Sequence, residues 1–258
     1  MDAILPVSVV MPAFNAARFV GAAVASLLQE RTRVDLDIIV IDDGSTDGTR
    51  DIVAGMAGQA KEIRLLANPG RGIGAARNTG LRNLAPDCTF VTFHDADDIS
   101  RAGRIERQSR RLIEDPSIDA LYGLVQLFSA QDGAGLPLAV EGPAKIVRGP
   151  YLQSAMFRLN VLSSVGFFDE TYRQGCDSDY FLRLVDGDFR IVLEDEVAAY
   201  YRRHDANVTL DVEEMKREFM RASLSWAVRR RMKRKGPLPA IFAEMFLNRV
   251  ELQSGEAP

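Results

Sequence analysis

The chain is poor in three residue types that often carry chemistry: it has two cysteines, two histidines and one tryptophan. Cys88 and Cys176 lie far apart, form no C-x-x-C metal spacing and offer no disulfide framework. They read as reduced thiols, as in a cytosolic protein. An excess of positive charge is also missing. The formal net charge of −4 argues against a general nucleic-acid binder. It leaves room for an anionic ligand, because a bound cation can supply local positive charge. No apolar run approaches the roughly 20 residues needed to cross a bilayer. The first ten residues contain Asp2 and no basic leader, so a signal peptide is not expected there. These absences predict a cytoplasmic location, free or against the inner face of the membrane.

The 258 residues are 47% hydrophobic, enough to bury one large domain or a domain with an appendage. Residues 7–11 (VSVVM) form an apolar run, stopped by Pro12, with no polar alternation. Such a run predicts a strand buried on both faces, as in a parallel sheet. Residues 17–30 have helical spacing, residues 37–41 (DIIVI) read as a second buried strand, and residues 47–56 as a helix capped by Ser45 or Thr46. A strand at 63–67, a helix at 75–84 and a strand at 89–93 (TFVTF) complete a β-α-β-α-β-α-β order. That alternation predicts an α/β fold with a doubly wound, mainly parallel sheet flanked by helices. Ligands of such sheets bind beyond the carboxyl ends of the strands. The clusters at Pro12, at Asp42-Asp43 and at Asp95-Ala96-Asp97 therefore converge on one edge.

The second half is less regular. It reads as a helix at 101–115, a strand at 120–128, a Gly/Pro-rich stretch to Pro143, a helix at 179–186 and two short strands at 191–193 and 197–201. A long helix at 211–235 has an acidic start and a basic end that suit its dipole. Pro237 and Pro239 break it before a last helix at 240–252. The expected division is a catalytic domain over 1–210 and a C-terminal helical extension over 211–258. Within the first, residues up to about 100 would bind the ligand at the strand ends and the remainder would complete the catalytic part.

Adjacent carboxylates at Asp95, Asp97 and Asp98 repel one another and are costly to bury. An oxygen-preferring cation, Mg²⁺ or Mn²⁺, removes that conflict and can bridge phosphates. The bland alternative is a solvated turn with Asp98 or Ser100 capping a helix. Asp43, just past a strand, could take hydrogen bonds from a base or ribose, or could belong to a turn and cap. The glycines of residues 70–78 (GRGIGAARN) do not follow a strand as a dinucleotide fingerprint requires. Arg77 in that segment could pair with carboxylate or phosphate. Asp177 and Asp179 open a helix, where an Asp near apolar neighbours could act as a general base or merely cap. His204 follows a strand and could complete a metal site, although a lone His is more often filler.

Taken together, VSVVMPAFNA, IIVIDDGSTDGT, GIGAARNTGL, FHDADD, GFFDETY, CDSDYFLRL and YRRHDANVT resemble, in order and spacing, the family 2 glycosyltransferases. The resemblance runs from about residue 7 to 209 and implies the GT-A fold. It implies that Asp43 contacts the nucleotide base, with Pro12, Ala13 and Asn15 lining the same pocket. Asp95-Ala96-Asp97 matches the D-x-D motif: Asp97 to the metal, Asp95 toward the ribose, donor sugar or metal. Arg77 and Asn78 match a segment beside the donor. Asp177 matches the catalytic base, with Cys176 where Glu is frequent. Phe14 stands where Tyr is usual, and His204 matches a late His that reaches the metal in some members. The implied activity is metal-dependent, inverting transfer from a nucleotide diphosphate-sugar, with uridine as the default nucleoside. The acceptor would be a hydroxyl on a glycan, lipid-linked or protein acceptor, in cell-surface glycan or polysaccharide synthesis. The rivals are a non-catalytic nucleotide-sugar binder on the same fold and a nucleotidyltransferase. The second would need a Gly-rich loop where Pro12-Ala13-Phe14-Asn15 stands. The basic run at 229–235 reads either as a solvated helix end or as a peripheral contact with anionic lipid or acceptor.

Overall fold

In the computed structural model the described residues are 6–129, 145–205, 211–233, 235–247 and 252–253. The elements run β1 (Pro6–Ala13), α1 (Val20–Leu28), β2 (Asp35–Asp42), α2 (Thr49–Ala57), β3 (Ile63–Ala67), α3 (Ile73–Arg82), β4 (Phe90–Phe93), β5 (Ile99–Ser100) and α4 (Arg104–Glu114). They continue with β6 (Ala120–Ser129), β7 (Lys145–Val147), β8 (Ala155–Arg158), α5 (Leu159–Val165), α6 (Cys176–Val185), β9 (Ile191–Arg203) and α7 (Val212–Met232). After α8 (Ala240–Phe242) comes one π turn, Ala243–Leu247, and then β10 (Leu252–Gln253). One sheet has the order β10-β7-β6-β8-β4-β1-β2-β3, with β9 beside β6 and β5 beside β9.

The first half is the expected parallel, doubly wound unit: β4, β1, β2 and β3 all pair in parallel. Its apolar runs lack alternation because both faces are covered. Val10, Ile39 and Ile41 face one core, with α3 and α6, whereas Val9, Met11 and Ile38 face the other, with α1 and α4. Pro12 does not stop β1, which continues to Ala13. The Val10 carbonyl accepts from His94 on the β4 side, and the Ala13 carbonyl accepts from Asp43 on the β2 side. By alternation, the Pro12 nitrogen points to the β4 side, where β4 has already ended at Phe93. A residue without an N–H is tolerated there.

The expected caps and several boundaries shift. Gly48 caps α2, and the Asp47 carboxylate, rather than Ser45 or Thr46, receives the Thr49 N–H at 3.1 Å. Gly103 caps α4, so neither Asp98 nor Ser100 is a cap. The helix expected at 179–186 begins at Cys176 rather than Asp179, which puts Asp177 inside its first turn. The two short strands near 191–201 are one strand, β9, whose pairing with β6 shifts register between Tyr122 and Val125. That irregularity hides the continuity from a period-2 reading. The last helix does not run to residue 252. It ends in the π turn, and Leu252–Gln253 pairs with β7. The Gly/Pro-rich stretch at 130–144 lies outside the described residues.

The long helix α7 is where the sequence places it. Asp211 caps it, its carboxylate accepting from the Glu214 N–H at 3.1 Å. Its Ala222 and Trp226 pack into the same core as α6, so the C-terminal segment shares that core. The basic run does not form one surface. Arg229 turns to Asp179 at 3.3 Å. Arg230 is buried, bonding Asp186 at 2.8 Å and the carbonyls of Gly236 and Pro237 at 2.8 and 2.9 Å. Arg231, Lys233 and Lys235 stay exposed, and Arg234 lies outside the described residues.

Candidate active site

The parallel strands deliver their carboxyl ends to one edge. At the ends of β1 and β2, two loops are stitched together. Asn15, the one described non-glycine residue with positive φ (48°), gives its N–H to Ser45 Oγ at 3.0 Å and accepts the Thr46 N–H at 2.9 Å. Asn tolerates that left-handed conformation better than most residues. The Ala16 and Ala17 N–H groups donate to Thr49 and Asp47 at 2.8 and 2.9 Å. Pro12 and Ala13 form the base of this rim, and the Phe14 ring stands 60% exposed on it. Asp43 is fixed by the Asn68 amide at 2.6 Å and the Gly72 N–H at 2.8 Å.

The glycines of the GRGIGAARNTGL segment serve packing and the turn into α3. Gly72 has φ of +87° ahead of that helix. A Cβ on Gly80 would sit 2.4 Å from Val10 Cγ1, so only glycine lets α3 lie this close to β1. Close approach carries the next residues to the cleft floor. Arg77 is 1% exposed, and its guanidinium reaches Asp95 at 3.2 Å and also pairs with Asp177. Burial alone would favour the neutral guanidine, but the charges of Asp177 and Asp95 raise its pKa, so it stays protonated. Asn78 faces elsewhere: its amide donates to the Phe168 carbonyl and Glu170 at 3.0 and 2.8 Å and accepts the Phe168 N–H at 2.8 Å. It anchors the loop that leads toward α6.

After β4 the side chains divide. Ala96 and Asp98 point inward; Asp95 and Asp97 keep partial exposure. Burial pushes the Asp95 carboxyl up to about 6, with Arg77 opposing and the Asp177 and Asp97 charges adding to the rise. Asp98 is fully buried and its pKa well raised by burial, then by Asp97 and Asp95. It accepts the Arg202 N–H at 2.9 Å and the Gln153 amide at 3.0 Å. Asp97 meets His204 Nε2 at 2.9 Å, and the His204 ring lies 4.5 Å from that of Phe19. β9 therefore brings His204 to the D-x-D turn.

The three residues expected at a metal do not assemble as one cluster. Asp97 and His204 form a pair while Asp95 is tied to Arg77, and the described residues hold no group of three or more His, Cys, Asp or Glu placed to bind an ion. One carboxylate and one imidazole still suit Mg²⁺ or Mn²⁺ when substrate phosphate oxygens and water complete the coordination.

Asp177 carries its recorded contacts on Oδ1, from Arg77 and from Cys176 Sγ at 3.3 Å. Burial, then the Asp177 charge, raises the Cys176 pKa, so it remains a neutral thiol. The sequence reading missed what holds this helix start. Glu218 on α7 is buried and accepts the N–H groups of Arg173, Gln174 and Gly175 at 2.7, 2.5 and 2.6 Å. A lone Glu in a charged amphipathic helix gives no signal of such a task. Gln153 and Asn68 were missed too, because a single amide side chain in a short turn or loop carries no signal of its partner.

Comparison with known proteins shows the family and the fold. The family model described as glycosyl transferase family 2 matches residues 8–154, more than half of the chain. A UDP-Glc:alpha-D-GlcNAc-diphosphoundecaprenol beta-1,3-glucosyltransferase, WfgD of Escherichia coli, is 31% identical over 149 residues, 57% of this chain and 55% of that protein. An uncharacterized glycosyltransferase of Haemophilus influenzae is 31% identical over 109 residues, 42% of each. The matches thus span about half the length of these relatives. Among solved structures, a mannosyltransferase of Pyrobaculum calidifontis, in complex with GDP-Man and Mn²⁺, superposes over 92% of this chain and 66% of that one, with a TM-score of 0.67 at 19% identity. TarS of S. aureus with UDP-GlcNAc superposes over 85% and 66%, with a TM-score of 0.64 at 19% identity. With this fold, these strand-end clusters and the family match together, the chain belongs to glycosyl transferase family 2 and has the GT-A fold.

Proposed function

We propose that the protein transfers a sugar from a nucleotide diphosphate-sugar to an acceptor hydroxyl with inversion at the anomeric carbon. The observation that carries this reading is the Arg77 bridge, which sets Asp95 and Asp177 on one buried guanidinium at the sheet's ligand edge. Asp43, Asn15, Pro12 and Ala13 would receive the nucleoside, and the exposed Phe14 ring could stack on its base. Asp97 and His204 would hold a divalent cation, with Asp95 oriented by Arg77 toward the donor. When bound, Mg²⁺ or Mn²⁺ offsets diphosphate charge and stabilises the leaving group. The Asp177 carboxylate would then remove the proton of the acceptor hydroxyl. Arg77 and Cys176 bond Oδ1, and no described residue bonds Oδ2, so Oδ2 is the atom for that proton. UDP is the nucleotide we favour, in line with the UDP-Glc and UDP-GlcNAc named for the E. coli relative and for TarS. The acceptor named for the E. coli relative is diphosphoundecaprenol-linked, which supports a lipid-linked glycan here.

A thermal-shift screen of nucleotide-sugars with Mn²⁺, followed by a transfer assay, tests this. The best donor raises Tm most, since it binds only the native state. Asp177→Asn lowers transfer by roughly 10²–10⁴-fold, the span of general-base assistance, and leaves the donor-induced shift near normal. Transfer at the unaltered rate in Asp177→Asn overturns the assignment. A donor shift with no transfer to any acceptor, and no donor hydrolysis, favours the non-catalytic binder.

A further inference from the structure

Along α7 four large apolar side chains, four residues apart, face solvent: Met220 is 64% exposed, Leu224 62%, Val228 57% and Met232 80%. The same helix buries Ala222 and Trp226 on its other side. This apolar row is surplus to the core and runs along consecutive turns, where a helix facing only water places polar residues. Arg217 and Arg231 lie in the same sector by helical spacing and are exposed; Lys233 extends the positive end. Arg217 pairs with Glu214, one turn nearer the acidic start, so the cationic character grows toward the C-terminal end of the helix.

We propose that this face of α7 docks on a lipid bilayer carrying anionic headgroups. The apolar row would enter the acyl boundary, and Arg231 and Lys233 would meet the headgroup phosphates. The structure narrows the basic run to these two cations, because Arg229, Arg230 and Lys235 pair with Asp179, Asp186 and Asp188. A second copy packed in parallel would set Arg231 against itself; packed antiparallel about Leu224 it would set Arg217 against Arg231 while bringing the acidic start near the basic end, and the oligomeric state reads that alternative. An anionic surface meets the same cations favourably. The length also fits an interfacial segment: at 1.5 Å per residue, the 21 residues of α7 span roughly 30 Å. This inference stands apart from the catalytic assignment, since none of these side chains touches the cleft residues described above.

The test is co-sedimentation of the whole protein with phosphatidylcholine vesicles and with vesicles that also contain phosphatidylglycerol. Binding is expected only to the anionic vesicles and is weakened by added salt. Arg231→Glu should lower the partition coefficient on the order of tenfold, from the loss of one cation and the gain of one anion near the surface. The double variant Leu224→Glu with Val228→Glu should abolish binding while keeping the nucleotide-induced Tm shift, which shows that the fold is intact. Absence of binding to anionic vesicles overturns the proposal, as does binding unchanged in both variants. So does a dimer in light scattering that the Leu224/Val228 variant converts to a monomer, because the face then belongs to a second copy.

Discussion

Glu218 and Gly175 lie closer than a side chain at position 175 would allow. A Cβ on Gly175 would stand 2.8 Å from Glu218 Cβ. The closeness lets one carboxylate gather three successive N–H groups immediately before the helix that carries Asp177. Glu218→Ala leaves those donors without their acceptor, at a cost of about 3 kcal/mol, readable by urea unfolding. Glu218→Gln keeps the shape but turns an amide toward N–H groups, so it should be milder in stability. In both, transfer should drop on the order of 10²-fold with nucleotide binding retained, since the displaced group is the proposed base and not the proposed nucleoside pocket. Equal losses in binding and transfer would indicate general unfolding instead.

Arg77 balances two carboxylates from elements distant in sequence. Arg77→Ala leaves Asp95 and Asp177 facing each other without a cation, and breaking one side of a buried ionic group typically costs about 3–5 kcal/mol. Arg77→Lys supplies charge but not the fork that reaches both partners. The lysine variant should therefore recover much of the melting temperature and little of the transfer rate.

The Asp97–His204 pair should govern response to metal. Asp97→Ala should remove most of the Mn²⁺-dependent part of the donor Tm shift, and His204→Ala a smaller part. A chelator should bring the unaltered protein to the same level. Donor shifts that are unchanged in Asp97→Ala with Mn²⁺ present would count against the pair as ligands.

Gly80→Ala should destabilise without touching the chemistry. The added carbon meets Val10 Cγ1 at 2.4 Å and Ile41 Cδ1 at 3.0 Å inside the sheet–helix interface. Overpacking of this kind costs about 1–3 kcal/mol. The expected readout is a lowered Tm with transfer per folded molecule preserved.

Both thiols should resist alkylation in the native state at neutral pH. Each is buried, and burial raises its pKa above the ordinary thiol range, so little thiolate forms. Iodoacetamide should label Cys88 and Cys176 only on unfolding. Rapid native labelling of Cys176 would mean that the helix start opens far more than its Glu218 and Arg77 contacts allow.

The parallel half of the fold was legible because its strands announce themselves as unbroken apolar runs. β3 falls at residues 63–67 as expected, and β1, β2 and β4 differ only at their ends. The D-x-D turn was legible because carboxylates are rare beside buried strands. In the second half α4, β6 and α7 fall close to expectation, but β7 and β8 are short and β9 is interrupted by a register shift, so none of these three strands shows a clean period of two. The site was readable in its residue types but not in its pairings. Nothing in the local sequence around Arg77 indicates that it reaches Asp95 and Asp177, 18 and 100 positions away. Nor does the sequence distinguish Arg229 and Arg230, which turn inward, from Arg231, which does not.

Asp98 has a mechanical consequence. Its two oxygens grip Gln153, just ahead of β8, and the backbone of Arg202 in β9, from the turn that ends β4. The parallel strands and the later strands are thus sutured across the end of β4. Swinging the two halves apart would strip a fully buried carboxylate of both partners, at a cost of about 1–3 kcal/mol for each bond. That cost favours a stiff frame at this point, with movement easier in the loops around it.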